Sequence, residues 1–341
     1  MKKGLISIIW LIAVAAMLFA GGTQEGGETQ EQEKYVINLA YGSTPVDVNG
    51  QVVLKFEELA EKYSNGRLQI EVFENNQLGS EQECAQNLRT GAIQMAAIYT
   101  GNLKPFSPSV GVMLLPYMFT SNDQAIEAID TLLPVLNEKT IEEAGARTLG
   151  FFTKGFRCIT NSKQPIKSLA DLQGVKIRVS QVSVTIETFR AWDIEPVPMA
   201  WSEVFTALQQ RVVDGQENPH ATNLSMKFYE VQKYLTDIHY MLWTGPLLIS
   251  EVYYQTLPAD LQEIVNKAGQ EACLYGSNLA VKMNEDAKVE LIEKGMIDCG
   301  IPVDEAEWQR RARAIWPKFF EDVGGEEWAR SCTGLIGISI D

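Results

Sequence analysis

Residues 155–219 hold three linked segments: GFRCIT (155–160), LQGVKIRVSQ (172–181) and PVPMAWSEVFTALQQRVVDGQENP (196–219). Two arginines, Arg157 and Arg178, stand in short β-rich runs among apolar neighbours. A guanidinium in such surroundings requires an anion, because burying one unpaired is too costly. That anion is either an internal carboxylate or one brought by a ligand. The stretch ends on Asp214-Gly215-Gln216-Glu217-Asn218-Pro219, a dense run of hydrogen-bonding side chains after an amphipathic helix. It reads as a polar turn, with Gly for the bend and Pro as the stop. Arginines beside a polar turn, opening from α/β segments, point to a pocket for a small organic acid.

The whole chain of 341 residues is 45% hydrophobic and 21% charged, an ordinary globular composition. That length exceeds what one core usually serves and suits two lobes. The net charge of −15 argues against a nucleic-acid partner, which needs a basic footprint. At the N-terminus, Lys2 and Lys3 precede an apolar run from Leu5 to Phe19 that is too short to span a bilayer comfortably. Residues 1–20 therefore read as a signal peptide cleaved after Ala20, against the alternative of an uncleaved anchor. The first cysteine is Cys84, so no lipid-anchoring cysteine follows the run, and a freely diffusing periplasmic protein is expected. Residues 21–34, rich in Gly, Gln and Glu, read as a disordered leader.

Five cysteines leave at least one unpaired. No CxxC or Cys/His spacing suggests a metal site, and His220 and His239 are the only histidines. No GxxxxGK[ST] motif is present, and no cofactor is expected.

From Tyr35 the chain alternates strand and helix. A strand at 35–42 is followed by a helix at 49–63 with an apolar stripe of Val52, Val53, Phe56, Leu59, Ala60 and Tyr63. A strand at 67–73, a helix at 80–90 and a strand at 93–99 complete a βαβαβ order, which implies a parallel sheet flanked by helices. Ligands bind outside the carboxyl ends of such strands. The loops at 41–45 and 99–102 are therefore candidate contacts, with Tyr99 foremost. Lys154-Gly155 reads as the crossing into a second lobe, where the pattern repeats.

Leu261, Ile264, Val265, Ala268, Ala272, Tyr275, Leu279 and Met283 mark a helix from Pro258 to Glu293. It would be about 50 Å long and would lie across both lobes. The expected fold is thus α/β and two-lobed. Lobe I takes residues 35–154 and about 244–283, and lobe II takes 155–243 and about 284–341. Trp243, beside the Gly-Pro return between lobes, is a candidate ring wall of the cleft.

Taken together, G-x-R, DLxGxKIR and PxPMxWSEVFTALQxxVVDGQENP, followed by KFYEVQKYL (227–235), resemble the solute-binding proteins of TRAP (tripartite ATP-independent periplasmic) transporters. NNQLGSEQECAQNLRTGAIQMA (75–96) and LPADLQEIVNKAG (257–269) are similar to that family too, so the resemblance covers roughly residues 35–335. It implies that Arg178 forks onto a substrate carboxylate and that Arg157 holds the same carboxylate or a neighbouring hydroxyl. Asn218 would bond the acid group. Glu217 would either accept from a sugar hydroxyl or orient an arginine. In the family the start of the helix at 80–90 can touch ligand. Glu81 is therefore a candidate, although an acidic group there also suits the solvated positive end of a helix. At Ser180-Gln181-Val182-Ser183 the chain departs from the family's proline-containing pattern. Its distal ligand contacts should differ there, and Ser183 joins the candidates.

The resemblance implies a monomeric, non-enzymatic periplasmic binding protein that delivers an organic acid to ion-driven membrane subunits. A sugar acid such as a hexuronate is favoured over a C4-dicarboxylate. A binding protein for an ABC importer or sensor kinase is a second reading. An exported hydrolase is a third, against which stand the absence of GxSxG and HExxH. Arg178→Ala should weaken binding of the acid by about two to three decades, the size of a lost buried charge partner. Arg178→Lys should also bind poorly, since it keeps the charge but loses the fork. Calorimetric titration checks both, and near-normal affinity in the pair would make Arg178 purely structural.

Overall fold

The structure, a computed structural model, describes residues 33–340. The signal peptide expected at 1–20 and nearly all of the leader lie outside that range.

Two mixed sheets organise the chain. The first has the order β2 (Leu68–Phe73), β1 (Tyr35–Tyr41), β3 (Met95–Ala97), β10 (Leu242–Ser250) and β4 (Ala146–Phe156). β1 runs parallel to β2 and β3, while β10 is antiparallel to β3 and β4. The second has the order β11 (Ile297–Asp298), β9 (Tyr234–Thr236), β5 (Cys158–Asn161), β8 (Gly215–Asn218), β6 (Ile177–Val179) and β7 (Val197–Pro198). The helices are α1 (Val48–Tyr63), α2 (Glu81–Thr90), α3 (Thr100–Leu103), α4 (Asn122–Ala144), α5 (Ser183–Ala191) and α6 (Val204–Gln209). They continue with α7 (His220–Ser225), α8 (Glu251–Tyr254), α9 (Ala259–Glu293), α10 (Glu305–Arg313) and α11 (Glu326–Leu335). This is the two-lobed α/β architecture expected from the sequence.

Local signals account for the element ends. Asp47 caps α1, accepting from the Asn49 amide at 3.1 Å. Ser80 and Glu83 form a reciprocal capping box on α2. Five of the six stripe residues predicted for α1 are buried, from Val52 to Ala60.

The crossing between sheets lies at Arg157, slightly later than the predicted Lys154-Gly155, because β4 continues through Phe156. The return runs alongside: Leu242 pairs with Phe156, and the Arg157 amide donates to Met241 O at 2.9 Å. The segment 214–219 is not the turn its polarity suggests. Gly215–Asn218 is a buried central strand, paired antiparallel with β5 and parallel with β6. Every polar side chain there finds a partner, which removes the cost of burying it. Gln216 donates to Thr160 Oγ1 and Asn223 Oδ1 at 2.8 and 2.9 Å, and Asn218 donates to Gln216 Oε1 at 2.6 Å.

The long helix forms as α9 and packs on α1, β4 and α7, so it braces both sheets. Its buried stripe differs from the predicted one. Cys273, Gly276, Ser277 and Ala280 face inward, while Tyr275 is exposed. Small residues let the helix approach closely. A Cβ on Gly276 would lie 2.1 Å from Val52 Cγ2, and one on Gly269 would lie 2.5 Å from Leu149 Cβ. Asn284 of α9 donates to Lys154 O at 2.6 Å and accepts from the Ala221 amide at 3.1 Å, tying the crossing to α7.

The stretch 284–341 does not stay with the second sheet: α10 packs on α5, but α11 packs on α4 and the turn at Pro108–Leu114. All five cysteines are free thiols. Among the described residues no helix is long and apolar enough to cross a membrane.

Gly276→Ala should destabilise the protein by about 1–3 kcal/mol through overpacking against Val52. That outcome would override the ~1 kcal/mol that alanine gains over glycine inside a helix. Urea denaturation checks the sign, and a stabilised variant would show that Val52 moves aside freely.

Candidate functional site

A cavity of about 410 Å³ opens where both sheets present strand ends. From the first sheet come Gly42 and Ser43 after β1, Tyr99 and Asn102 after β3, and Lys154 and Trp243 from β4 and β10. From the second come Arg178 on β6, Ser180 and Gln181 beyond it, Met199–Ser202 after β7, and Asn218 on β8. Arg157 at the crossing completes the wall. The loops at 41–45 and 99–102 thus meet the cavity as their place after parallel strands suggests.

The two arginines differ in their partners. Arg157 is 2% exposed and is gripped by Glu217, whose two oxygens accept from Nε and from Nη2, the latter at 2.8 Å. Tyr240 donates to the same carboxylate at 2.7 Å. Glu217 therefore orients an arginine and does not line the cavity, which decides between its two expected roles. Arg157 Nη1 is left without a partner.

Arg178 is 3% exposed, and among the described residues no carboxylate pairs with it. Its Nε and Nη2 donate to Met199 O at 3.1 and 2.5 Å, and the Trp201 ring lies 5.9 Å from its guanidinium carbon. Burial pushes its pKa down to about 10, partly offset by Glu217, as expected of a cation short of an anion.

The third cation, Lys154, was not singled out from sequence. It pairs with Asp47 at 2.6 Å, and both side chains are almost fully buried. Lys154 also stands 4.8 Å over the Trp243 ring, which in turn packs on Tyr99 at 5.3 Å. Nothing local marks Lys154 and Asp47 as partners; they lie 107 positions apart in the chain and only the fold joins them.

Glu81, Tyr99, Trp243 and Asn218 all reach the cavity wall. Glu81 accepts from Asn102 Nδ2 at 2.6 Å and from the Tyr99 amide at 3.1 Å, so it is not the solvated helix-start carboxylate of the alternative reading. Ser183 is a correction. It begins α5 outside the cavity, where its hydroxyl accepts from Lys104 at 2.9 Å and donates to Asp322 at 3.2 Å. Ser180 and Gln181 take the place expected of it. Ser202, which reads as a helix cap, also lines the cavity, while the helix starts later at Val204. Three buried atoms of the wall have no hydrogen-bond partner: Ser43 Oγ, Asn49 Oδ1 and Arg157 Nη1. Buried polar atoms are rarely left so, and a ligand rich in hydroxyls would satisfy them.

The fold and the motifs that carry these residues have known relatives. Residues 39–322 match the profile described as bacterial extracellular solute-binding protein, family 7. The chain belongs to that family. Its solved relatives are TRAP periplasmic solute-binding proteins. One from Rhodobacter sphaeroides, in an apo open form, is 48% identical, with a TM-score of 0.79 over 89% of this chain and 99% of that one. A sugar acid binding protein from Advenella mimigardefordensis, in complex with galactonate, is 28% identical, with a TM-score of 0.83 over 89% and 98%. A protein from Shewanella oneidensis with bound succinate is 26% identical, with a TM-score of 0.80 over 89% and 99%. The family is the one its sequence motifs indicate.

Glu81 is where a pH dependence of stability is expected. Burial raises its pKa above the ordinary carboxyl value, outweighing the Asn102 and Tyr99 bonds that lower it. The folded protein then holds this proton more tightly than the unfolded chain. Its contribution to unliganded stability falls as pH rises from the unfolded carboxyl value, ~4.3, through the raised folded one. Glu81→Gln should therefore be the more stable protein at neutral pH, with the gap closing in acid. Urea denaturation over a pH series checks this, and parallel stability curves would put the Glu81 charge in solvent.

Proposed function

We propose that the protein captures a sugar monocarboxylate of the hexuronate or hexonate class, with Arg178 forking onto its carboxylate and Arg157 Nη1 and Asn218 assisting. The carrying observation is that Arg178 is buried without an acid partner. Charge balance favours one carboxylate over two. Lys154 is paired with Asp47 and Arg157 with Glu217, so among the described residues Arg178 is the wall cation left without an ion pair, while Glu81 and Glu83 add negative charge to the same wall. A second carboxylate would meet the Glu81 side chain, whereas hydroxyls would satisfy Ser43, Asn49 and Glu81. The relative bound to succinate keeps a C4-dicarboxylate as the second reading.

The two sheets form lobes that close around the acid, which stabilises the closed form through contacts it makes with both. The closed protein then docks as a monomer on TRAP membrane subunits and performs no chemistry on its cargo. Export by the N-terminal segment 1–20 places it in the periplasm.

Thermal shift of the purified protein against sugar acids, C4-dicarboxylates and neutral sugars tests the reading. A ligand at 100 times its Kd adds about 2.7 kcal/mol. Shifts should come from hexuronates or hexonates. A response to succinate or malate alone would favour the second reading, and a response to neutral sugars alone would overturn both.

A further inference from the structure

Behind β8, outside the acid cavity, the fold gathers Cys158, His220 and Asp237. Cys158 Sγ lies 3.4 Å from His220 Nδ1, and His220 Nε2 lies 2.8 Å from Asp237 Oδ1. Lys288 holds the other oxygen of Asp237 at 2.6 Å. We propose that Cys158 and His220 bind a thiophilic divalent cation of the zinc class, with Asp237 as the carboxylate that orients the imidazole.

The geometry suits the ion. With bonds of ~2.3 Å to sulfur and ~2.0 Å to nitrogen, an ion held by both atoms spans roughly 105° at their separation, close to tetrahedral. Metal-binding histidines characteristically give their second ring nitrogen to a carboxylate, which sets the tautomer and the ring plane. Asp237 stands in that position, itself fixed by Lys288. The Cys158 thiol donates to Asn218 O at 2.9 Å, a hydrogen bond that loss of the thiol proton to the ion would release, and the remaining positions fall to water. Cys158 is 2% exposed, but the His220 and Asp237 side chains retain 13% and 14% of their surface, which gives an entry path from solvent. The site is independent of the sugar-acid reading, since none of the three residues lines that cavity.

Calorimetric titration of the reduced protein with Zn²⁺ tests the site, together with absorption spectra on adding Co²⁺. One equivalent of zinc should bind, and cobalt should show a sulfur-to-metal charge-transfer band. Cys158→Ser should lose the band, and His220→Gln should bind at least tenfold more weakly. Asp237→Asn should lose about 10–100-fold, the usual cost of removing an orienting partner. Cys332→Ser, on α11 away from the site, should change nothing. Absence of zinc binding, or unchanged affinity in Cys158→Ser, would overturn the proposal. If Cys158→Ser fails to fold, the cobalt spectrum of the unsubstituted protein decides: a band supports sulfur ligation and its absence refutes it.

Discussion

The ion pair between Arg157 and Glu217 sits where the chain passes from one sheet to the other, and the charge pattern of the cleft follows from it. Both side chains are fully buried, and Tyr240 on the returning segment closes the pair from a third side. Removing one partner of such a pair leaves a bare charge in a low dielectric, at a cost of about 3–5 kcal/mol. Glu217 is held by Arg157 and Tyr240 and makes no ion pair with Arg178 among the described residues. The pair therefore joins the two sheets and, by the same hydrogen bonds, leaves Arg178 facing the cavity without an acid.

A second constraint is how closely α9 approaches the first sheet. Glycines at 269 and 276 let its backbone settle against Leu149 and Val52, and Asn284 bridges Lys154 to α7. Lys154 on β4 and Arg157 just beyond it then enter the cleft, each already compensated by a partner distant in sequence. A cleft built this way tolerates high charge density because most of its cations are already paired.

Much of this was legible in the sequence. The β-α alternation, the α1 stripe, the long helix and the motif around Arg178 each follow from periodicity, capping residues or family pattern. The loop after β3, with Tyr99, could be placed by rule, because parallel strands aim their carboxyl ends at a common edge. Errors arose where polarity was taken for exposure. Gln216, Glu217 and Asn218 are a buried strand because Thr160, Asn223, Arg157 and Tyr240 satisfy them, and those partners lie on other elements. Ser183 was misplaced because α5 begins at that residue and turns its hydroxyl toward Lys104.

By itself, then, the sequence determined the class of the fold and the family. These rest on short-range patterns that each segment carries alone. Only the tertiary structure decided which charges cancel: Lys154 with Asp47, Arg157 with Glu217, and, among the described residues, none for Arg178. It also gathered Cys158, His220 and Asp237, whose spacing along the chain resembles no metal motif. The reason is physical. Electrostatic energy depends on distances across the folded core and on the local dielectric, and neither is written in the order of residues along the chain.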